Sequence, residues 1–251
     1  MKPSRYLLPL ALVAAWQALS SAGVIPAYKL PAPTAVAAGF WDLLTVGMPP
    51  GRLLPWHLAM SLYRVAWGFL LAAAVAVPLG LAMGWSPRLR RLFSPVVELL
   101  RPVPPLAWIP ISILWFGIGV RSAAFIIFLG AVFPILLNTV AGVLAVSPAL
   151  VEAARTLGAR EGQLLRKVLL PGALPSIFVG LRVGLGIGWM TLVAAEFTGV
   201  KTGYGLGYMI MTARDIQRPD EIIAGMVVIG VTALLIDLLI RLAEARLLPW
   251  R

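Results

Sequence analysis

The stretch Ser147-Pro-Ala-Leu-Val-Glu-Ala-Ala-Arg-Thr-Leu-Gly158-Ala-Arg-Glu-Gly-Gln-Leu-Leu-Arg-Lys-Val-Leu-Leu-Pro171 is a polar island between two long apolar runs. Six of the twenty residues from Glu152 to Pro171 are charged, in a chain where charge averages 12%. The stretch reads as two short helices. Ser147 is placed to accept a backbone N–H as N-cap, and Pro148 takes the first helical position, where its missing donor costs nothing. Ala153, Ala154 and Leu157 supply an apolar side, and Gly158 suits the left-handed stop that ends a helix. A second helix is expected from about Arg160 to Leu169, with Pro171 ending it. Ala153 and Ala154 would let a helix seat closely in a groove of another protein, while Glu152 at their flank offers a charge for pairing. The segment has the chemistry of a docking surface for a soluble partner.

What surrounds it is not soluble. The 251 residues are 60% hydrophobic, with 21 basic and 10 acidic residues, too few to clothe a water-facing surface of this size. Mean hydropathy is +0.92. Lipid is therefore the solvent for much of the chain, and an all-α membrane domain is expected. Reading for runs of about 20 apolar residues gives six spans: Tyr6–Val24, Leu62–Trp85, Val103–Val120, Ser122–Val146, Leu174–Phe197 and Ile222–Leu242. The third is interrupted by Pro104, Pro105 and Pro110. Thr34–Val46 reads as a short external helix with Val36, Phe40, Leu43 and Leu44 on one face. No segment between spans has room for a further domain, so residues 1–251 are expected to form one membrane domain, with 147–171 a loop within it.

The basic residues set the orientation. With the N-terminus in the cytoplasm and the first span an uncleaved anchor, thirteen Lys and Arg fall inside and six outside, leaving out Arg64 and Arg182 in or beside spans. Both termini are then cytoplasmic, and so is the 147–171 loop. The net charge of +11 reports topology and gives no support to nucleic-acid binding. The absence of cysteine and the single His57 exclude thiolate and histidine-cluster metal sites, and no catalytic constellation is found.

In the loop, Glu152-Ala-Ala is followed after three residues by Gly158 and after nine more by Val168-Leu-Leu-Pro171. This resembles the Glu-Ala-Ala signature of ABC importer permeases, with Val168 replacing the usual isoleucine. The runs Arg101-Pro-Val-Pro-Pro-Leu-Ala-Trp-Ile-Pro110, Leu114-Trp-Phe-Gly-Ile-Gly119 and Gly180-Leu-Arg-Val-Gly-Leu-Gly186 are similar to the taurine, alkanesulfonate and nitrate branch of that family. The resemblance implies a type I importer permease of MetI-like fold in a bacterial inner membrane. It implies two cytoplasmic ATPase subunits that bind ATP and Mg, a second permease copy and an external solute-binding protein. Glu152, Ala153, Ala154, Leu157 and Gly158 are the positions that match the ATPase-docking coupling helix. Among substrates, the similarity favours taurine or another alkanesulfonate; nitrate, bicarbonate and a thiamine-precursor pyrimidine are the alternatives.

The chain has no power source of its own. A phosphate-binding loop needs a Gly-Lys dipeptide, and the four lysines follow Met1, Tyr28, Arg166 and Val200. The subunit is thus expected to be no enzyme and to carry no cofactor. Gly203-Tyr-Gly-Leu-Gly-Tyr208 lacks the strand and helix of a nucleotide loop and reads as an external turn. Its Thr202-Gly-Tyr-Gly205 is a poor match to a channel filter, and no repeat supports an ion-coupled secondary transporter; both rivals leave the polar loop unexplained.

Inside the spans, Gly180, Gly184 and Gly188 recur every four residues and predict close approach of a second helix. Arg182, about 12 Å into its span, needs water or a partner there. It is the leading candidate for a translocation pathway, with Trp189, Met190 and Thr191 further along the helix. Asp237 is expected to pair with Arg241, Asn138 and Thr139 to bridge helices, Arg64 to anchor a span end, and Glu196 to lie exposed near the outer surface.

Overall fold

The computed structural model describes residues 4–48, 51–199 and 204–248. Every regular element in them is helical: α1 (Ser4–Ser21), α2 (Pro33–Thr45), α3 (Leu54–Trp85), α4 (Pro87–Leu100), a 3₁₀ turn (Pro105–Trp108), α5 (Ile109–Phe116), α6 (Val120–Leu144), α7 (Pro148–Thr156), α8 (Glu161–Leu164), a π turn (Leu165–Leu169), α9 (Leu170–Gly199), α10 (Leu206–Asp215) and α11 (Pro219–Leu247). Helices α2, α4, α7 and α11 all begin on proline, whose fixed φ is ready for the first turn and whose absent N–H would be unpaired there anyway.

Among the described residues, four helices are long and apolar enough to cross a membrane: Leu54–Trp85, Val120–Leu144, Glu161–Phe197 and Pro219–Leu247. The expected third span differs most from its sequence reading. Pro104 and Pro105 break it, and Pro87–Leu100 with Pro105–Phe116 form a pair bent by 82°, which makes a fifth span if taken together. The apolar part of the first helix, Leu7–Ser21, is short of that length among the described residues. Among the described residues there are thus four or five spans by length and composition, where the sequence suggests six.

Pro171 does not end a helix. Glu161 to Phe197 runs continuously, because the backbone widens just before the proline: Leu170 N–H bonds to Leu165 O across a π turn. That widening makes room for a ring that would otherwise clash with the preceding turn.

The chain divides into two compact units, Met1–Ser61 with Thr202–Thr232, and Leu62–Lys201 with Ala233–Arg251. In the first, α2 buries Val36, Gly39 and Leu43, while Phe40 is exposed, contrary to the expected face. Gly39 abuts Asp220, where an added methyl would lie 3.0 Å from the backbone. Side chains of α3 cap α10: Gly205 N–H donates to His57 Nδ1 at 3.2 Å, and Leu206 N–H donates to Ser61 Oγ at 2.9 Å. Gly205 takes a positive φ of 129° just before α10, so only the residues before Leu206 can belong to the expected turn, and Leu206 to Tyr208 are helical instead; Gly203 lies outside the described residues.

The second unit is organised by glycines. A methyl at Gly68 would meet Ile127 at 2.6 Å, at Gly80 Thr139 at 2.6 Å, and at Gly84 Val143 at 2.5 Å. The constant offset means that α3 and α6 run side by side in the same direction. On α9 the order reverses: Gly180 faces Asn138 at 2.8 Å, Gly184 faces Ile135 at 2.9 Å and Gly188 faces Ile127 at 3.1 Å. Helices α6 and α9 are therefore antiparallel, and the missing side chains let their backbones approach. Asn138 and Thr139 do not bridge helices through their polar groups. Each bonds back to a carbonyl one turn earlier, Asn138 Nδ2 to Pro134 O at 2.8 Å and Thr139 Oγ1 to Ile135 O at 2.7 Å. The core under α4 joins Ala72, Ala76 and Met83 of α3 to Ala131, Ile135 and Leu136 of α6, with Val97 of α4 seated on them.

Candidate functional site

The loop from Ser147 folds into a helix closed by a two-bond stop. Ser147 precedes α7 but its hydroxyl makes no capping bond; Pro148 alone shapes the start. At the far end Gly158 has φ +82°, its N–H donates to Arg155 O at 2.9 Å, and Ala159 N–H donates to Ala154 O at 3.0 Å. This is the paired-bond C-terminal motif in which a left-handed residue satisfies the last carbonyls, and glycine adopts it without strain.

The helix turns Val151 and Ala154 partly inward and leaves Glu152, Ala153 and Leu157 exposed, with Leu157 at 88%. A hollow of about 400 Å³ next to it is lined by Ala154, Leu157, Gly158, Ala159, Gln163, Lys167 and Val168. Arg155 holds the loop in place from two sides. Its guanidinium stacks over Trp85 at 5.9 Å and pairs with Glu161 at 3.3 Å. The Trp85 contact joins the helix to the end of α3. The following turn is fixed by Gln163, whose Oε1 accepts from Arg160 N–H at 2.8 Å.

The pathway candidates separate. Arg182, Trp189 and Met190 line one cavity of about 360 Å³, closed on its far wall by Ala233, Ile236, Asp237 and Ile240 of α11. Thr191 is turned away from it: buried, bonded back to Gly188 O at 2.9 Å, and facing Gly130 of α6. Trp189 is buried, whereas Met190 is 73% exposed. A second cavity of about 390 Å³ lies on the other flank of α9, lined by Arg101, Asn138 and Gly130 among others. Val183 and Ile187, one turn apart on the open face of α9, border both. Gly180, Gly184 and Gly188 face α6 and take no part in either cavity.

One arrangement escaped sequence reading. Arg64 of α3 and Glu196 of α9 form an ion pair at 2.5 Å with both side chains fully buried. Each charge is inexpensive alone at a span end, but Glu196 is buried and not exposed as expected. The usable signal was that opposite charges inside two apolar runs must find one another. Asp237 and Arg241, one turn apart, do pair at 2.7 Å.

Apolar helices long enough to cross a membrane, joined by a polar helical loop, define a multi-span membrane protein. The chain belongs to the family described as binding-protein-dependent transport system inner membrane component, whose profile matches residues 76–250. It is 41% identical over 242 residues to the taurine transport system permease protein TauC of Escherichia coli (strain K12), covering 95% of this chain and 86% of that protein. It is also 41% identical over 245 residues to a permease protein assigned to aliphatic sulfonates transport in Bacillus subtilis (strain 168), covering 98% and 86%. Among solved structures, the inward-facing MetNI methionine ABC transporter matches with a TM-score of 0.59 at 24% identity, over 88% of this chain and 97% of that one, which supports the fold.

Proposed function

We propose that this chain is the permease of an ATP-driven importer that carries a small organic anion, taurine or another alkanesulfonate, into the cytoplasm of a bacterium. The observation that carries the reading is the coupling loop: Gly158 in a left-handed stop, exposed Glu152, Ala153 and Leu157 ahead of it, and Arg155 tying the helix to α3. In this reading a cytoplasmic ATPase subunit receives α7, and closure of its ATP and Mg sites moves α7 against Trp85. Two copies of the permease stand around a two-fold axis with two ATPases beneath, both termini cytoplasmic, and a solute-binding protein delivers substrate from outside. The short first helix and the bent third segment complete six spans within the assembly. Substrate choice rests on the two relatives whose names refer to taurine and aliphatic sulfonates.

The test is uptake of labelled taurine into proteoliposomes holding permease, ATPase and binding protein. The reading expects accumulation that requires ATP and is abolished by vanadate. Uptake that proceeds without ATP and follows an imposed ion gradient would replace it with an ion-coupled carrier.

A further inference from the structure

The cavity between α9 and α11 contains a charge that the fold leaves unbalanced. Arg182 lines it, half-buried, and has no ion pair or side-chain hydrogen bond among the described residues. Asp237 on the opposite wall is already compensated by Arg241. Between them the walls are aliphatic, from Leu185, Ile236 and Ile240. Gly186, one turn beyond Arg182, opens the floor: a methyl added there would meet no atom within 4 Å. At the far end Trp189 is 3% exposed, and its indole N–H lacks an acceptor among the described residues.

A guanidinium held among apolar walls favours an oxyanion, whose two oxygens match its paired donors. The size of the cavity narrows the choice. The hollow measures about 360 Å³, which gives room for an organic body beyond the anionic head. An alkyl body attached to the anion would cover the aliphatic walls and gain from leaving water. Arg182 and Gly186 stand about 6 Å apart along the helix, which is the reach of a short alkyl chain.

We propose that this cavity is a recognition station for a small organic oxyanion, with Arg182 holding the anionic head and the open surface over Gly186 receiving the apolar body. The inference rests on the importer reading and adds that the permease itself selects among anions after the external receptor has released its cargo.

The experiment uses the purified permease–ATPase complex without the binding protein, titrated by calorimetry with butanesulfonate, methanesulfonate and nitrate. The expected result is binding of butanesulfonate ahead of nitrate, weakened at least about tenfold by Arg182→Gln. Gly186→Val, which a helix tolerates, is expected to weaken butanesulfonate and spare methanesulfonate, a change of size preference that loss of folding does not produce. Equal affinity of wild type and Arg182→Gln for butanesulfonate, no binding by an assembled wild-type complex, or preference for nitrate would each overturn the station. Failure of the importer reading is separate: it would appear as absence of ATP-dependent uptake by the complete wild-type assembly, whichever anion the cavity prefers.

Discussion

Arg64 and Glu196, 132 residues apart in sequence, neutralise one another in the interior of the second unit with neither side chain reaching the surface. Removing one member leaves the other charge buried without its counter-ion, which typically costs about 3–5 kcal/mol. Glu196→Gln and Arg64→Met are each expected to lower the thermal midpoint of the purified permease sharply. The double variant Arg64→Met/Glu196→Leu should lose less than the sum, because it leaves no charge uncompensated. A midpoint for Glu196→Gln within a degree of wild type would show that the pair does not carry the packing of α3 on α9.

The coupling loop makes a second, kinetic prediction. Gly158 sits at φ +82°, where a β-carbon costs about 1–2 kcal/mol, and no neighbour lies within 4 Å to add a clash. Gly158→Val should therefore leave the spans folded while distorting the end of α7. Comparing ATP hydrolysis with uptake in the reconstituted complex is expected to show hydrolysis persisting as uptake falls severalfold. Unchanged uptake would separate α7 from the power stroke.

Sequence reading and structure part company along a clear physical line. The helix stop at Gly158 and the glycine stripe of α9 are local, set by one residue's φ or by a four-residue repeat, and both were legible. Pro171 misled because its effect depends on whether the turn before it can widen, which the 165–169 backbone does. Arg64 and Glu196 misled because their energies belong to a pair, and the pairing of α3 with α9 is written nowhere in either segment. Thr191 shows the same limit at one residue: next to Met190 in sequence, it points into the α6 contact while Met190 faces outward. The break in the third segment was legible from Pro104 and Pro105, whereas its 82° angle to the preceding helix is not a property of those residues alone.

The stripe on α9 yields graded substitutions. A methyl at Gly180 would sit 2.8 Å from Asn138 Cβ and 3.2 Å from backbone, and one at Gly184 2.9 Å from Ile135 and 3.0 Å from the Ala131 carbonyl. At Gly188 the nearest atom is the Ile127 branch methyl at 3.1 Å, with backbone no closer than 3.8 Å. Gly180→Leu and Gly184→Leu should each cost about 1–3 kcal/mol or more through overpacking, and Gly188→Ala should be nearly neutral. Thermal unfolding of the three variants in one detergent measures the order. Gly188→Ala falling below Gly180→Leu would mean that α6 and α9 do not pack in this register.

Arg218 makes the last prediction. It follows Gln217, a left-handed residue at φ 59°, and its guanidinium reaches Asp42 and Asp220 at 2.8 Å and Glu221 at 3.0 Å, joining α2 to the start of α11. Hydrogen bonds with Asp220 and then Asp42 hold its charge well above the ordinary arginine range. The sign follows: a base whose pKa rises on folding loses its stabilisation only as pH climbs through the folded value, which lies beyond any usable alkaline buffer. High pH therefore should not release this link. Salt should weaken it, because the side chain is 39% exposed and screening reaches it. Arg218→Met is expected to cost about 1–3 kcal/mol at low ionic strength, with the difference from wild type shrinking in about 1 M salt. Parallel thermal scans at the two salt concentrations measure it; a deficit independent of salt would assign the loss to packing of the arginine stem instead of its three carboxylates.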